Sequence, residues 1–324
     1  MRTPEELERF LAERIAPALR DVERERAEVA ARREAVKLAA PWKIAAGAAG
    51  IAAGAWSGDL EPMLLVAALP WLVDAVRIAA IRDTATPRIR AELLRPLVEF
   101  FDPSFRYVPE GHVGREEFTR SRLFEGVAWN RYAGEDLVTG RHGATAFRFS
   151  EVDVERVTKR GKRRERERVF RGLVFVADCN KAFRGQTLVL PDRAERALGA
   201  LGRALQSIAG GGGLSLVELE DPDFERAFVV RASDPTEARY LLSPSLMQRI
   251  LAFHRNTGSQ LRLSFTAGRV YVAVPLAHDL FATPLDARVG LAHVRAWAGE
   301  LLFALGIVDE LDLNTRIWSK ADAT

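Results

Sequence analysis

The sequence predicts an α+β protein: an N-terminal helix and a two-helix transmembrane hairpin, followed by a mainly antiparallel-sheet cytoplasmic module with packed helices. Three observations predict it. Two apolar segments, Leu38 to Ser57 and Met63 to Ile81, are separated only by Gly58-Asp59-Leu60-Glu61-Pro62. Each is close to the ~20 residues a helix needs to cross ~30 Å of hydrocarbon, and so short a gap forces an antiparallel pair. Farther on, Ala146 to Val157 alternates apolar and polar residues, and Arg168 to Ala177 follows as a second strand. Finally, Asp221-Pro222, Asp234-Pro235 and Ser243-Pro244 each place a capping side chain before a proline at the first helical position.

Residues 1–37 read as one amphipathic helix. Pro4 and two acidic residues open it, and Leu7, Phe10, Leu11, Ile15, Leu19 and Val22 recur at three and four. That stripe suits a single partner, either a second copy in a homo-oligomer or the chain's own domain. Residues 38–82 form the hairpin. Its first span is rich in Ala and Gly, with Gly50 and Gly54 in the small-xxx-small spacing that lets two helix backbones pack closely in a bilayer. The second span is more apolar until Asp74 and Arg77. Arg32, Arg33, Lys37 and Lys43 precede the hairpin and Arg77, Arg82, Arg88 and Arg90 follow it, whereas the connection holds only Asp59 and Glu61. Both ends therefore face the cytoplasm. The alternative is a helical hairpin buried inside a soluble protein.

Residues 83–209 form the sheet-rich first half of the module. Pro87 to Phe101 reads as a helix, Asp102-Pro103-Ser104 as a turn, and Lys159 to Arg166 as the tip of a long hairpin whose Arg163 and Arg164 would meet membrane lipid. Gly210 to Gly213 is a linker into the mixed second half, 214–320. There Glu237 occupies the third position of a capping box opened by Asp234. Gln260 to Phe265 and Gly268 to Pro275 pair as strands, and Ala287 to Ile307 closes the chain as a helix.

The formal charge of +3 on 324 residues is small, so the pI near 9.2 does not announce a nucleic-acid partner. A single cysteine, Cys179, excludes an internal disulfide framework and suits a reducing compartment. The five histidines stand at no metal-ligand spacing, and the Gly210 run lacks the Lys-Ser/Thr of a phosphate loop, so neither a metal nor a cofactor is expected. These features favour a non-enzymatic interaction or scaffold module with an unknown protein partner. An enzyme or small-ligand domain is the alternative, and Asn180, Lys181, Asp234, Glu237 and Arg239 are its candidate polar cluster.

Several stretches carry a family resemblance: Phe101-Asp102-Pro103-Ser104-Phe105-Arg106-Tyr107, Tyr132 to Gly140, Phe170 to Lys181, Leu219 to Phe224, Ala232 to Pro244, and Leu311 to Lys320. In this order they resemble a bacterial membrane-anchored family, domain of unknown function three-one-three-seven. The resemblance implies an N-terminal helix and two membrane spans. It supplies no activity, substrate or catalytic residue. The Lys43-bearing, Ala/Gly-rich first span departs from more apolar members.

Overall fold

The computed structural model describes residues 2–38, 45, 47–52, 56, 90–161, 163–179, 183–192, 213–258, 260–282 and 289–313. The chain divides into two compact units, Met1–Leu94 with Thr283–Val294, and Arg95–Ala282 with Arg295–Thr324.

In the first unit, helix α1 (Pro4–Phe10) opens with a capping box: Thr3 Oγ1 accepts from the Glu6 N–H at 3.2 Å, and Glu6 Oε2 accepts from the Thr3 N–H at 2.8 Å. A π-helical turn, Leu11–Ile15, leads into α2 (Ala16–Leu38). The wide turn has a local cause. Pro17 cannot donate and crowds the preceding turn, and the Ala16 N–H reaches back five residues to Leu11 O. Leu11, Ile15, Leu19 and Val22 are the buried stripe that the spacing predicts. Of the hairpin, only residues 45, 47–52 and 56 are described, and they are helical. Gly50 is buried there, while Ile51 and Trp56 are exposed. Gly54 and the whole second segment lie outside the described residues, so the two-helix hairpin is not confirmed.

Helix α3 (90–101) buries Leu93, Leu94, Leu97 and Val98 along one stripe. In the second unit Ser104 N–H donates to Asp102 Oδ1 at 2.7 Å in the expected turn, which delivers the short edge strand β1 (Arg106–Val108). Helix α4 (Arg115–Arg120) precedes the long strands β2 (Arg131–His142), β3 (Thr145–Arg160) and β4 (Arg163–Asp178). Strands β5 (Thr187–Pro191) and β6 (Ser215–Val217) follow, then α5 (Pro222–Ala227), β7 (Phe228–Ala232), α6 (Pro235–Leu241) and α7 (Pro244–Thr257). Strands β8 (Arg262–Thr266) and β9 (Arg269–Pro275) and helix α8 (Leu291–Glu310) complete the described residues.

All nine strands join one sheet in the order β1-β2-β3-β4-β9-β8-β5-β7-β6, every pair antiparallel. The stretches before and after the Gly210 region are therefore interleaved: β4 hydrogen-bonds to β9, and β5 lies between β8 and β7. The α+β class and the antiparallel sheet stand as the sequence predicted.

Three details differ. The expected tip over Lys159 to Arg166 is regular strand on both sides, with Arg160 paired to Arg163. Alternation alone hid this, because a solvated ribbon carries charges on both faces. The second difference is at Glu237, which does not close a capping box. Asp234 caps α6 by accepting from Thr236 N–H at 2.8 Å and Glu237 N–H at 3.1 Å, while the Glu237 carboxylate turns to another segment. Third, α8 begins later than expected and runs to Glu310. With a mean hydropathy of 1.4 it is, by length and composition, the one helix among the described residues able to cross a membrane. It also buries Trp297, Leu301, Ala304, Leu305 and Val308, as a core helix does.

Candidate functional site

The predicted polar cluster is held in structural bonds. The Glu237 carboxylate accepts from the Arg184 N–H and the Gly185 N–H, both at 2.7 Å, clamping the segment that enters β5. Asp234 is spent on its cap, and Arg239 Nε donates to Glu218 O at 3.2 Å. Asn180 and Lys181 lie outside the described residues. Asp234, Glu237 and Arg239 line neither of the cavities described below.

A different carboxylate group emerges where β2 bulges against β3. Glu135 pairs with Glu151 and Val138 with Phe149, so Asp136 and Leu137 face Ser150 alone. Asp136 adopts φ of 63°, a left-handed conformation that Asp tolerates better than most residues. Oxygens of Glu135, Asp136 and Glu151 lie within 4.8 Å of one another. The two buried members are already engaged. Tyr107 Oη donates to Asp136 Oδ1 at 2.5 Å, Leu280 N–H to Glu151 Oε2 at 2.6 Å, and Arg171 Nε to Glu151 Oε1 at 3.1 Å. Burial pushes the Glu151 carboxyl above its ordinary range; the Leu280 and Arg171 donors pull the other way, and neighbouring Glu135 pushes it further up. These bonds brace the bulge.

On the opposite part of the sheet α4 packs over an aromatic cluster. Phe118 stacks on Phe124 with centroids 5.2 Å apart, and Trp129, Tyr132 and Phe170 surround them. Two arginines pin the helix through nearly buried Glu117: Arg269 Nη1 at 2.7 Å and Arg148 Nη1 at 3.1 Å. Tyr132 Oη donates to Val113 O at 2.5 Å, and burial beside Glu117 drives its pKa far upward.

Phe124 lines two cavities. The larger, about 640 Å³, is lined by Phe118, Trp129, Arg120, Arg122, Glu125 and neighbours; Arg122 is committed to Glu125 at 2.6 Å and to Gln186 Oε1 at 2.6 Å. The smaller, about 320 Å³, is lined by Arg168, Arg171 and Arg262 together with Phe124, Phe170, Gln260, Pro275 and Leu276. Arg168 to Arg171 of β4 border this cavity at a bulge, in which Glu155 pairs with Arg168 and Val154 with Phe170, leaving Val169 as the extra residue. The far wall depends on Gly172, where an added Cβ would lie 2.1 Å from Val274 O and 2.9 Å from Pro275 Cα. Only glycine lets β4 approach β9 so closely.

Residues 168–313, from the start of this arginine pair through the end of α8, match the profile of a family described as a protein of unknown function (DUF3137). This stretch is similar to the DUF3137 family over its whole length. The resemblance read in the sequence holds across it, covering Phe170 to Lys181, Leu219 to Phe224 and Ala232 to Pro244. The matched stretch includes the cavity-lining residues of β4, β8 and β9, while Phe124 and α4 precede it. No curated protein matches the chain. Among solved structures, the crystal structure of the mycobacterial trehalose monomycolate transport factor A, TtfA, aligns with 11% identity over 72% of this chain and 98% of that one. The TM-score of that alignment is 0.34, at which neither fold nor function carries over.

The sequence reading missed the cavity residues. Its available signal was the break in alternation at Arg168-Val169-Phe170-Arg171, where a bulge sits inside an otherwise regular strand.

Proposed function

We propose that this chain is a non-enzymatic interaction module on the cytoplasmic face of the bacterial inner membrane, attached through its N-terminal apolar pair and oriented against anionic lipid by the β3–β4 ribbon. The ribbon is the observation that carries the reading. From the Arg156–Glu167 pair outward, five cross-strand pairs continue past the last β2 and β9 partners, a projection of about 15 Å at the usual strand rise. Asn130 seals its base, exchanging 2.8 Å bonds with the Val157 N–H and carbonyl. From Arg156 to Glu167 the sequence holds seven cations and two carboxylates, a larger excess than the whole chain's +3. Lys159 stands opposite Arg164, a pairing that repels unless an outside anion compensates it. No side-chain hydrogen bond or ion pair joins Lys159, Arg163, Arg164 or Arg166 to another described residue. Each cation at an anionic surface contributes about 1 kcal/mol. The exposed Ile51 and Trp56 in the first apolar segment support attachment.

Reconstitution of the full-length chain tests this in one preparation. Trypsin should cut the ribbon several-fold more slowly in phosphatidylglycerol vesicles than in phosphatidylcholine, with the difference erased by high salt. Equal cutting in both lipids would sink the ribbon's role. Release of the protein by alkaline carbonate would sink the attachment.

The second reading, an enzyme or small-ligand domain, is favoured by the cavities beside Phe124, whose volumes fall in the range that small ligands occupy. Turnover of any substrate that vanished on altering a cavity residue without unfolding would establish it over the first.

A further inference from the structure

We propose that the β3–β4 ribbon meets an anionic bilayer with one face only, the face formed by Lys159, Arg164 and Arg166, and lies along the surface instead of entering it by the tip. The proposal rests on the membrane reading above and deepens it by naming the contact. Directly opposed residues of an antiparallel pair send their side chains to the same side, and neighbours along a strand send them to opposite sides. The register therefore sorts the ribbon. Val157 opposes Arg166 and Lys159 opposes Arg164, which gives one face three cations, one apolar side chain and no carboxylate. Arg156 opposes Glu167, within 3.9 Å of it, and Thr158 opposes Glu165. With Arg163 at the turn, the described side chains of this second face set two cations against two carboxylates. Along the chain the charges look mixed, and only the ladder separates them.

The cationic face is also open to an outside partner. Lys159, Arg164 and Arg166 are exposed and have no side-chain hydrogen bond or ion pair among the described residues. The carboxylates that share this side at the ribbon's base are already engaged: Glu155 accepts from Arg131 Nη1 at 3.0 Å, and Asp153 stands 3.7 Å from Arg168. Arg164, Arg166 and Arg168 follow one another at every second residue of β4, about 7 Å apart at the usual strand rise. So extended a row fits a plane of separate anionic headgroups, whereas one small anion would reach only part of it. The second face decides between lipid and nucleic acid. A β-ribbon seated in a DNA groove has phosphates on both sides, where Glu165 and Glu167 would be repelled, but a bilayer presents its anions on one side alone.

Electron paramagnetic resonance of nitroxide labels on the full-length chain in vesicles reads the two faces separately, through collisions with a water-soluble nickel chelate. Cys179 is buried and escapes labelling, so single labels can be placed by Val157→Cys, Thr158→Cys, Arg164→Cys and Glu165→Cys. In phosphatidylglycerol vesicles, compared with phosphatidylcholine, collisions should fall about threefold at positions 157 and 164 and stay nearly unchanged at 158 and 165. Equal protection of both faces would mean entry by the tip and would overturn the proposal while leaving the membrane reading intact. No difference between the lipids at any position would sink the membrane reading and the proposal with it. Charge-matched variants form the second arm. With the label at position 157, Arg164→Gln combined with Arg166→Gln should abolish the protection, whereas Arg156→Gln combined with Arg163→Gln should retain it, although each pair removes two cations. Equal loss from both pairs would show that net charge alone matters, against the proposal. Stronger protection of position 157 by duplex DNA than by phosphatidylglycerol would assign the face to nucleic acid and overturn it as well.

Discussion

Strands β3 and β4 run side by side for most of their length, yet their two halves obey opposite rules. In the inner half Phe149 faces Phe175, Ser150 faces Val174 and Val152 faces Gly172, and flanking strands cover both sides. Val152, Val154, Leu173 and Phe175 have no exposed surface at all. In the outer half the same ladder of backbone bonds continues with charged residues on both faces and, among the described residues, no flanking strand beyond Asn130. Backbone pairing is thus common to both halves, and side-chain burial is what distinguishes them. The inner half is fixed by packing. The outer half persists because the inner one anchors it, and its side chains are left for an outside partner.

The largest way to break this comparison is to empty the inner half. Phe175 stacks between Phe147 and Phe149, at 5.9 and 6.2 Å. Phe175→Ala should cost about 3–5 kcal/mol, lowering the melting temperature by roughly 10 °C. An equally large loss from a ribbon residue would erase the distinction.

Glu151 sharpens it through pH. Burial makes this carboxyl hold its proton to higher pH in the fold than in the unfolded chain, so the native state binds more protons through that window. Its contribution to stability is therefore complete below the ordinary carboxylate range and is lost as pH rises through the raised value. Subtracting the melting profile of Glu151→Gln from that of the native protein should leave a downward slope there. A flat difference would mean that Leu280 and Arg171 fully offset the burial.

The smallest effect belongs to the ribbon. Lys159→Glu places opposite charges across from each other at Arg164 and should stabilise by only about 0.2–1 kcal/mol, as denaturant titration would read. Destabilisation would show that the like charges there do not repel as the register implies.

Where local chemistry decides, the sequence was readable. Asp221, Asp234 and Ser243 cap their helices as proline and side chain together required. Ala267 and Gly268 turn β8 into β9 with positive φ, between the two strands that the sequence paired. Non-local geometry was not readable. Nothing near Glu237 announces that its carboxylate will hold Arg184 and Gly185, more than fifty residues earlier. Nor does any motif tell that Arg262 will lie on Phe124. The polar cluster was inferred from residue type, but caps and clamps use the same side chains as catalytic sites, and only the tertiary partners separate the two.

The sheet order has a consequence for synthesis. Gly172 hydrogen-bonds alongside Pro275, so β4 emerges from the ribosome about a hundred residues before its partner. At 5–20 residues per second that interval is roughly 5–20 s. Throughout it, the apolar run Leu173 to Ala177 presents an open edge able to template pairing with a neighbouring nascent chain. The cationic stretch immediately before it would act as a gatekeeper by mutual repulsion, protecting the growing polypeptide before either membrane or ligand is reached.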